Sequence, residues 1–250
     1  MSDLYEKFRQ NFEIVDADTA ELREHVFRLR YQILCVEKRL PDFDSVNCPN
    51  QMEKDNYDEH SAHILLRCRA SNEFIGTVRL ILNDASQPKK KLPIELFGHP
   101  DRTLCDIQSL PKNQTAEISR LLVTTQFDRR KEDRRKQETR NDGNRRNEDE
   151  RRAGDRRASL DVVLMMAAGV MRMSAKYQIE NWLSVMDPAL NRLLSFYGLE
   201  LTPIGPLINY HGLRRPYFVK VSEVVARMFA NHRAAWEIVT GNGKYSYDPK

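Results

Sequence analysis

The run Ala116-Glu117-Ile118-Ser119-Arg120-Leu121-Leu122-Val123 constrains this chain more than any other stretch. Its apolar character predicts a central strand over 116–124, yet it carries a carboxylate and a guanidinium at its start. Charge buried in such a run costs free energy unless something uses it. Arg30 in a predicted helix, Asp55 and Asp58 in a predicted loop, and Arg79 in a predicted strand are awkward in the same way. In a regular strand Glu117 and Arg120, three residues apart, point to opposite faces. They serve one site only where a bulge or splay intervenes.

The pattern around this run predicts a mixed sheet flanked by helices, an α/β (α+β) chain forming one domain over 1–250. Asp18 followed by Glu21 has the form of a capping box. Leu22, Val26, Leu29, Ile33 and Val36 then recur at helical spacing until Pro41. Residues 42–60 read as a polar loop. A hairpin follows, Ala62 to Arg69 and Phe74 to Leu82 around a turn at 71–73. Residues 83–114, with four prolines, read as loop. A helix is expected from Leu160 to Tyr177 and a strand from Trp182 to Met186. Asp187-Pro188 opens a further helix that Gly198 closes. Strand pieces at 200–204 and 216–221 lead into a final helix from Ser222 to Thr240.

The net charge of +4 hides an asymmetry. Between Arg129 and Arg157 thirteen Lys/Arg face eight Asp/Glu, while the rest of the chain is close to neutral. That segment has almost no apolar residue, so a disordered insertion at 129–157 is expected. It reads either as a solvated loop or as a docking strip for an acidic protein, for nucleic acid or for anionic lipid. Specific nucleic-acid binding is not expected, because the segment lacks aromatic residues to stack bases. Cys35, Cys48, Cys68 and Cys105 show no C-x-x-C spacing, which suggests reduced thiols and no zinc site. His60-x-x-His63 lacks a third ligand nearby, so no metal is expected. No apolar stretch is long enough to span a bilayer, and the start lacks a signal-peptide pattern. A cytoplasmic location is expected.

Four motifs carry a resemblance: Leu29-Arg30-Tyr31-Gln32-Ile33, Glu53-x-Asp55-x-x-Asp58, Gly76-Thr77-Val78-Arg79-Leu80 and Glu117-x-Ser119-Arg120. In order and spacing they resemble the acyl-homoserine-lactone synthases, which are built on the GNAT acetyltransferase fold. Arg30 to Glu37 and Tyr210-His211-Gly212-x-Arg214-x-Pro216-Tyr217 look closer to the N-acyl amino acid synthases, in particular the acyltransferases associated with PEP-CTERM/exosortase systems. The resemblance implies a GNAT-like sheet with a distorted central strand, and N-acylation as the activity. Leu34 and Leu40 stand where autoinducer synthases carry aromatics, which argues against a homoserine-lactone product.

Moving an acyl group from a thioester to an amine needs a base for the ammonium proton and a donor for the developing oxyanion. Glu117 is the candidate base, since a carboxylate in an apolar strand has a raised pKa; its structural alternative is an ion pair with Arg120. Glu117, Ser119 and Arg120 form the candidate catalytic set. Arg30, Asp55, Asp58, Arg79 and His211 are the candidate substrate-binding residues. Their alternatives are ordinary ones: Arg30 paired with Glu24 or Glu37, a snorkelling Arg79, aspartates that shape a loop, a loop histidine. Met165, Met166, Met171 and Met173 either border an acyl tunnel or pack a core. No bound cofactor is expected. Gln126 to Arg130 offers no glycine for a coenzyme A pyrophosphate cradle, which favours an acyl carrier protein over acyl-CoA as donor, with an amine or amino acid as acceptor. The competing functions are an acyl-CoA-dependent GNAT enzyme and a non-catalytic acyl-binding regulatory protein.

Overall fold

The computed structural model describes residues 3–43, 48–84, 86–125 and 148–246. A short helix α1 (Asp3–Asn11) runs straight into strand β1 (Phe12–Asp16), neither of which the sequence reading anticipated. Phe8 and Phe12 bury there with their rings 6.3 Å apart. Helix α2 (Ala20–Tyr31) is capped by Thr19 and not by Asp18: the Thr19 hydroxyl accepts the Leu22 N–H at 3.2 Å. Over Gln32–Glu37 the helix widens to i→i+5 turns. The extra residue per turn lets Ile33 and Leu34, neighbours in sequence, both bury. The same widening takes Val36 off the apolar stripe and leaves it 44% exposed.

Strands β2 (Ser61–Cys68), β3 (Glu73–Ile81) and β4 (Thr115–Val123) follow, with helix α3 (Pro93–Phe97) inside the proline-rich stretch before β4. Pro93 at the first helical position and Glu95, whose carboxylate accepts the Leu92 N–H, set that turn. Helix α4 (Glu148–Tyr177) opens twelve residues earlier than its apolar run predicts. Residues 148–157, expected within the insertion, are therefore helical, and 129–147 lie outside the described residues. Strand β5 (Asn181–Met186) and helix α5 (Pro188–Ser195) come next, and the Asp187 carboxylate accepts the Ala189 N–H at 2.8 Å. The chain ends through short strands β6 (Thr202–Pro203) and β7 (Ile208–Asn209), the longer β8 (Leu213–Lys220), and helices α6 (Val221–Asn231) and α7 (Arg233–Thr240). The expected single last helix is broken at His232 (φ −138°, ψ 54°). Arg233 fills the corner, its guanidinium 4.1 Å from the Phe229 ring and 4.3 Å from that of Trp236.

Among the described residues the sheet order is β1-β2-β3-β4-β5-β8-β6, with β7 paired to β8. Every pairing is antiparallel except β4 with β5. The two faces bury different things, as strand alternation requires. Ile64, Leu66, Val78, Leu80, Ala116 and Trp182 face α4 and the last helices, forming the main core. Met165, Met166, Met171 and Met173 lie in that core. The other face carries His63, Leu65, Arg79, Ile81 and Glu117, under α2 and the loops.

Within the main core the buried Trp182 indole N–H donates to Ser174 Oγ at 2.8 Å. Ser174→Ala leaves that N–H unsatisfied and should cost about 1–3 kcal/mol of stability, read as a lower urea midpoint at unchanged m-value.

Candidate active site

Three arginines and three carboxylates close a ring of alternating charge on the loop-covered face. Arg30 from α2 reaches Asp58 at 2.8 Å, and Asp58 reaches Arg79 of β3 at 2.8 Å. Arg79 meets Asp55 at 2.6 Å, and Asp55 meets Arg120 of β4 at 3.3 Å. Arg120 pairs with Glu53 at 2.7 Å, and Glu53 returns to Arg30 at 3.7 Å. The acidic motif Glu53-x-Asp55-x-x-Asp58 thus meets one guanidinium from each of three elements. Arg30, Arg79, Glu53 and Asp58 are buried, and only Asp55 (31%) and Arg120 (17%) keep appreciable side-chain exposure. Arg30 does not pair with Glu24, which Arg28 takes, nor with Glu37, which accepts the Thr125 N–H. Glu53 belongs to the ring but was only a motif position in the sequence; its neighbours in register were the signal that could have found it.

Arg120 joins the ring because β4 bulges. Gly76 and Thr77 pair with Val123 and Leu122, whereas Arg79, Leu80 and Ile81 pair with Ser119, Ile118 and Glu117, one residue out of step. Arg120 takes the left-handed region at φ 52°. The inserted residue puts Ser119 and Arg120 on one face, the face of Glu117 and Arg79. Ser119 Oγ accepts from Arg79 Nε at 2.9 Å. On its other edge β4 pairs with β5 only from Thr115↔Asn181 to Ile118↔Ser184. Among the described residues the β5-facing backbone of 119–123 therefore has no strand partner, and the two strands part beside the candidate base.

Glu117 is 3% exposed and, among the described residues, receives one hydrogen bond, the Ile94 N–H to Oε2 at 2.8 Å. It makes no ion pair with Arg120. Burial raises its pKa to about 7, against the Ile94 N–H and the more distant Arg79 and Arg120. Asp58 shows the reverse: burial works upward, but Arg30 and Arg79 hold it far below the usual carboxylate range. His63, set aside above as a poor metal ligand, lies buried with Nδ1 3.0 Å from an Arg30 nitrogen. Burial and the Arg30 charge lower its pKa to about 4, so it is neutral at pH 7. No group of three or more His, Cys, Asp or Glu among the described residues could hold a metal ion.

His211 sits apart from the ring. Its Nδ1 is 2.7 Å from Asp42, and its ring is 4.8 Å from that of Phe43. Phe43 in turn lies 5.1 Å from the Arg120 guanidinium. Phe43 packs with Leu34 and Leu122, so an aromatic from the loop occupies the neighbourhood where the helix offers leucine. Tyr210 stacks on Phe97 at 5.2 Å. Burial raises its pKa, and the charges of Arg120 and Glu117 both act on it. Gln126 to Arg130, the stretch without a pyrophosphate cradle, lies outside the described residues.

Residues 22–134, which take in Arg30, the acidic motif, Arg79 and the bulged strand, match the acetyltransferase (GNAT) domain. Over that stretch the chain is similar to the GNAT acetyltransferases. Its fold is shared with solved structures. BjaI, a CoA-dependent acyl-homoserine lactone synthase solved with SAM and isopentyl-CoA, superposes with a TM-score of 0.55 at 18% identity, over 92% of this chain and 88% of that one. TofI in a ternary complex with an inhibitor and MTA gives 0.57 at 16%, over 90% and 99%. MesI, a CoA-dependent acyl-homoserine lactone synthase, gives 0.53 at 16%, over 96% and 97%. No curated protein matches the sequence.

The Glu117 environment has a pH signature. Its folded pKa of about 7 lies above the ordinary 4.5, so the native state holds one more proton between those values and stability falls as pH rises through that window. Glu117→Gln removes this loss. The variant should match the parent at pH 4 and be more stable by about 3 kcal/mol at pH 8, measured by urea denaturation. A variant less stable at pH 8 would mean an ionised carboxylate held by Arg79 and Arg120.

Proposed function

We propose that the protein is an N-acyltransferase that moves a fatty acyl group from an acyl carrier protein thioester to the amine of an amino acid. The observation that carries this reading is the buried Glu117 carboxylate, with a pKa of about 7, on the edge where β4 leaves β5. Glu117 takes the ammonium proton, and the poised pKa suits transfer near neutrality. The freed amine attacks the thioester carbonyl, and unpaired backbone N–H groups of β4 beyond Ile118 supply donors for the oxyanion.

The charged ring divides the remaining roles. Arg30 and Arg79 are buried and both pair with the buried Asp58, so the three build the wall of the site. Asp55 and Arg120, the members with exposure, face the acceptor. Ser119 orients Arg79. His211, with Asp42, lines the rim and binds substrate there. PEP-CTERM association, like the choice of an amino acid over a homoserine-lactone product, is supported by the sequence motifs alone. A cytoplasmic location suits a carrier-protein donor; no helix among the described residues is long and apolar enough to cross a membrane. The insertion over 129–157 would serve as the docking strip for the acidic carrier, through its excess of Lys and Arg.

Acyl-CoA as donor is the second reading, favoured by the CoA-dependence named for BjaI and MesI. Incubating the purified protein with an amino-acid mixture and either acyl-carrier protein or acyl-CoA, with mass spectrometry of the products, separates the two. An N-acyl amino acid is expected from the carrier-bound donor. Fatty acid bound without any acyl-amine product would mark a regulatory acyl-binding protein instead. Glu117→Gln should lower turnover by about 10²-fold or more; near-normal turnover would pass the base role to another residue. Deleting 129–147, which spares α4, should raise the KM for the acyl carrier at low salt and leave kcat unchanged. The difference should fade at high salt as exposed charges are screened.

A further inference from the structure

We infer that Cys35 and Cys48 are a disulfide-forming pair that fastens Asp42, Phe43 and Glu53 at the charged ring. Thirteen positions apart in a chain with no C-x-x-C motif, their Sγ atoms stand 3.8 Å apart, in contact as thiols. Cys35 lies in the wide turns after α2 and is partly exposed, whereas Cys48, just ahead of Pro49, is buried. The chain near the pair is strained: Arg39 (φ 49°), Asn50 (φ 60°) and Gln51 (φ 57°) all take the left-handed region without being glycine. Residues so placed keep these angles only where the chain beside them is tied. Its hydrogen bonds do part of this, Leu40 N–H to the Leu34 carbonyl and Glu53 N–H to the Phe27 carbonyl, each at 3.0 Å. The thiol pair lies between these two ties.

What the segment carries gives the crosslink its consequence. Phe43 covers the Arg120 guanidinium, Asp42 holds His211, and Glu53 at the far end closes the ring. The oxidant class is a low-molecular-weight disulfide. The more exposed Cys35 thiolate attacks one sulfur of oxidised glutathione and expels a glutathione thiolate. The Cys48 thiolate then attacks the Cys35 sulfur and expels the second glutathione. The protein pair loses two electrons and two protons, and both protons end on the two glutathione thiols. The crosslink is independent of the acyl-transfer reading, since its formation is read without any assay of activity.

The full-length protein is incubated with oxidised glutathione or with dithiothreitol and then analysed by intact mass, thiol count after denaturation, and a non-reducing tryptic map. Oxidation should lower the mass by about 2 Da and the thiol count from four to two. The map should show the Cys35 peptide joined to the Cys48 peptide. Cys35→Ser and Cys48→Ser should each abolish the link, while Cys68→Ser and Cys105→Ser retain it. The Tm of the oxidised parent should rise by roughly 5 °C, because the link closes a short loop in the unfolded chain, and the rise should be absent in Cys35→Ser. Four surviving thiols, glutathione adducts without a link, or a link between other cysteines would overturn the pair. A Cys35–Cys48 link with no rise in Tm would overturn its fastening role.

Discussion

A closed circuit of six opposite charges holds together the half of this molecule where chemistry would occur. Burying one arginine is costly, and here Arg30 and Arg79 are buried outright. They persist because each is flanked by carboxylates and each carboxylate by guanidiniums, so that no member is left facing a like charge alone. The energetic meaning is tolerance with strict geometry rather than surplus stability. Removing one partner strands another in a medium that cannot solvate it, at a typical cost of about 3–5 kcal/mol. Because the six come from α2, the acidic loop, β3 and β4, the circuit fixes how those elements meet. The left-handed Arg120 belongs to the same account, since its strain is borne by the bonds its side chain makes to Glu53 and Asp55.

That circuit also explains why Glu117 behaves unlike its acidic neighbours. The three positive charges are already matched by Glu53, Asp55 and Asp58, so Glu117 has no dedicated counter-ion. It sits on the same face as Arg79, two residues from Ser119, with a backbone N–H for company. A carboxylate placed where compensation has been used up is held near neutral, and that is the condition a proton acceptor needs at physiological pH. The parting of β4 from β5 gives the same carboxylate an edge of unpaired backbone.

Much of this was legible in the residues, for reasons that differ by position. The hairpin of β2 and β3 and the Asp187-Pro188 start of α5 follow local rules, and both stand within a residue or so of expectation. Arg30, Asp55, Asp58, Arg79 and Arg120 could be singled out because charge in apolar surroundings is conspicuous in one dimension. What could not be read was who meets whom. Glu53 looked like one acid in a polar loop, and His63 like half of a weak metal motif, because their partners lie far away in sequence. The wide turns after α2, which displaced Val36, have no compositional marker. The early start of α4 was missed because its first turns are polar and carry no apolar periodicity.

His63 of β2 and Glu117 of β4, on one face of the sheet with β3 between them, have a joint consequence. In the unfolded chain between pH 4.5 and 6.5 the glutamate is ionised and the histidine protonated. In the folded protein the glutamate keeps its proton and the histidine has none. Folding therefore takes up one proton at Glu117 and releases one at His63. Across that window these two sites exchange nothing net with the medium. Their opposing pH slopes cancel, and their part of the folding enthalpy is blind to the ionisation heat of whatever buffer surrounds the protein.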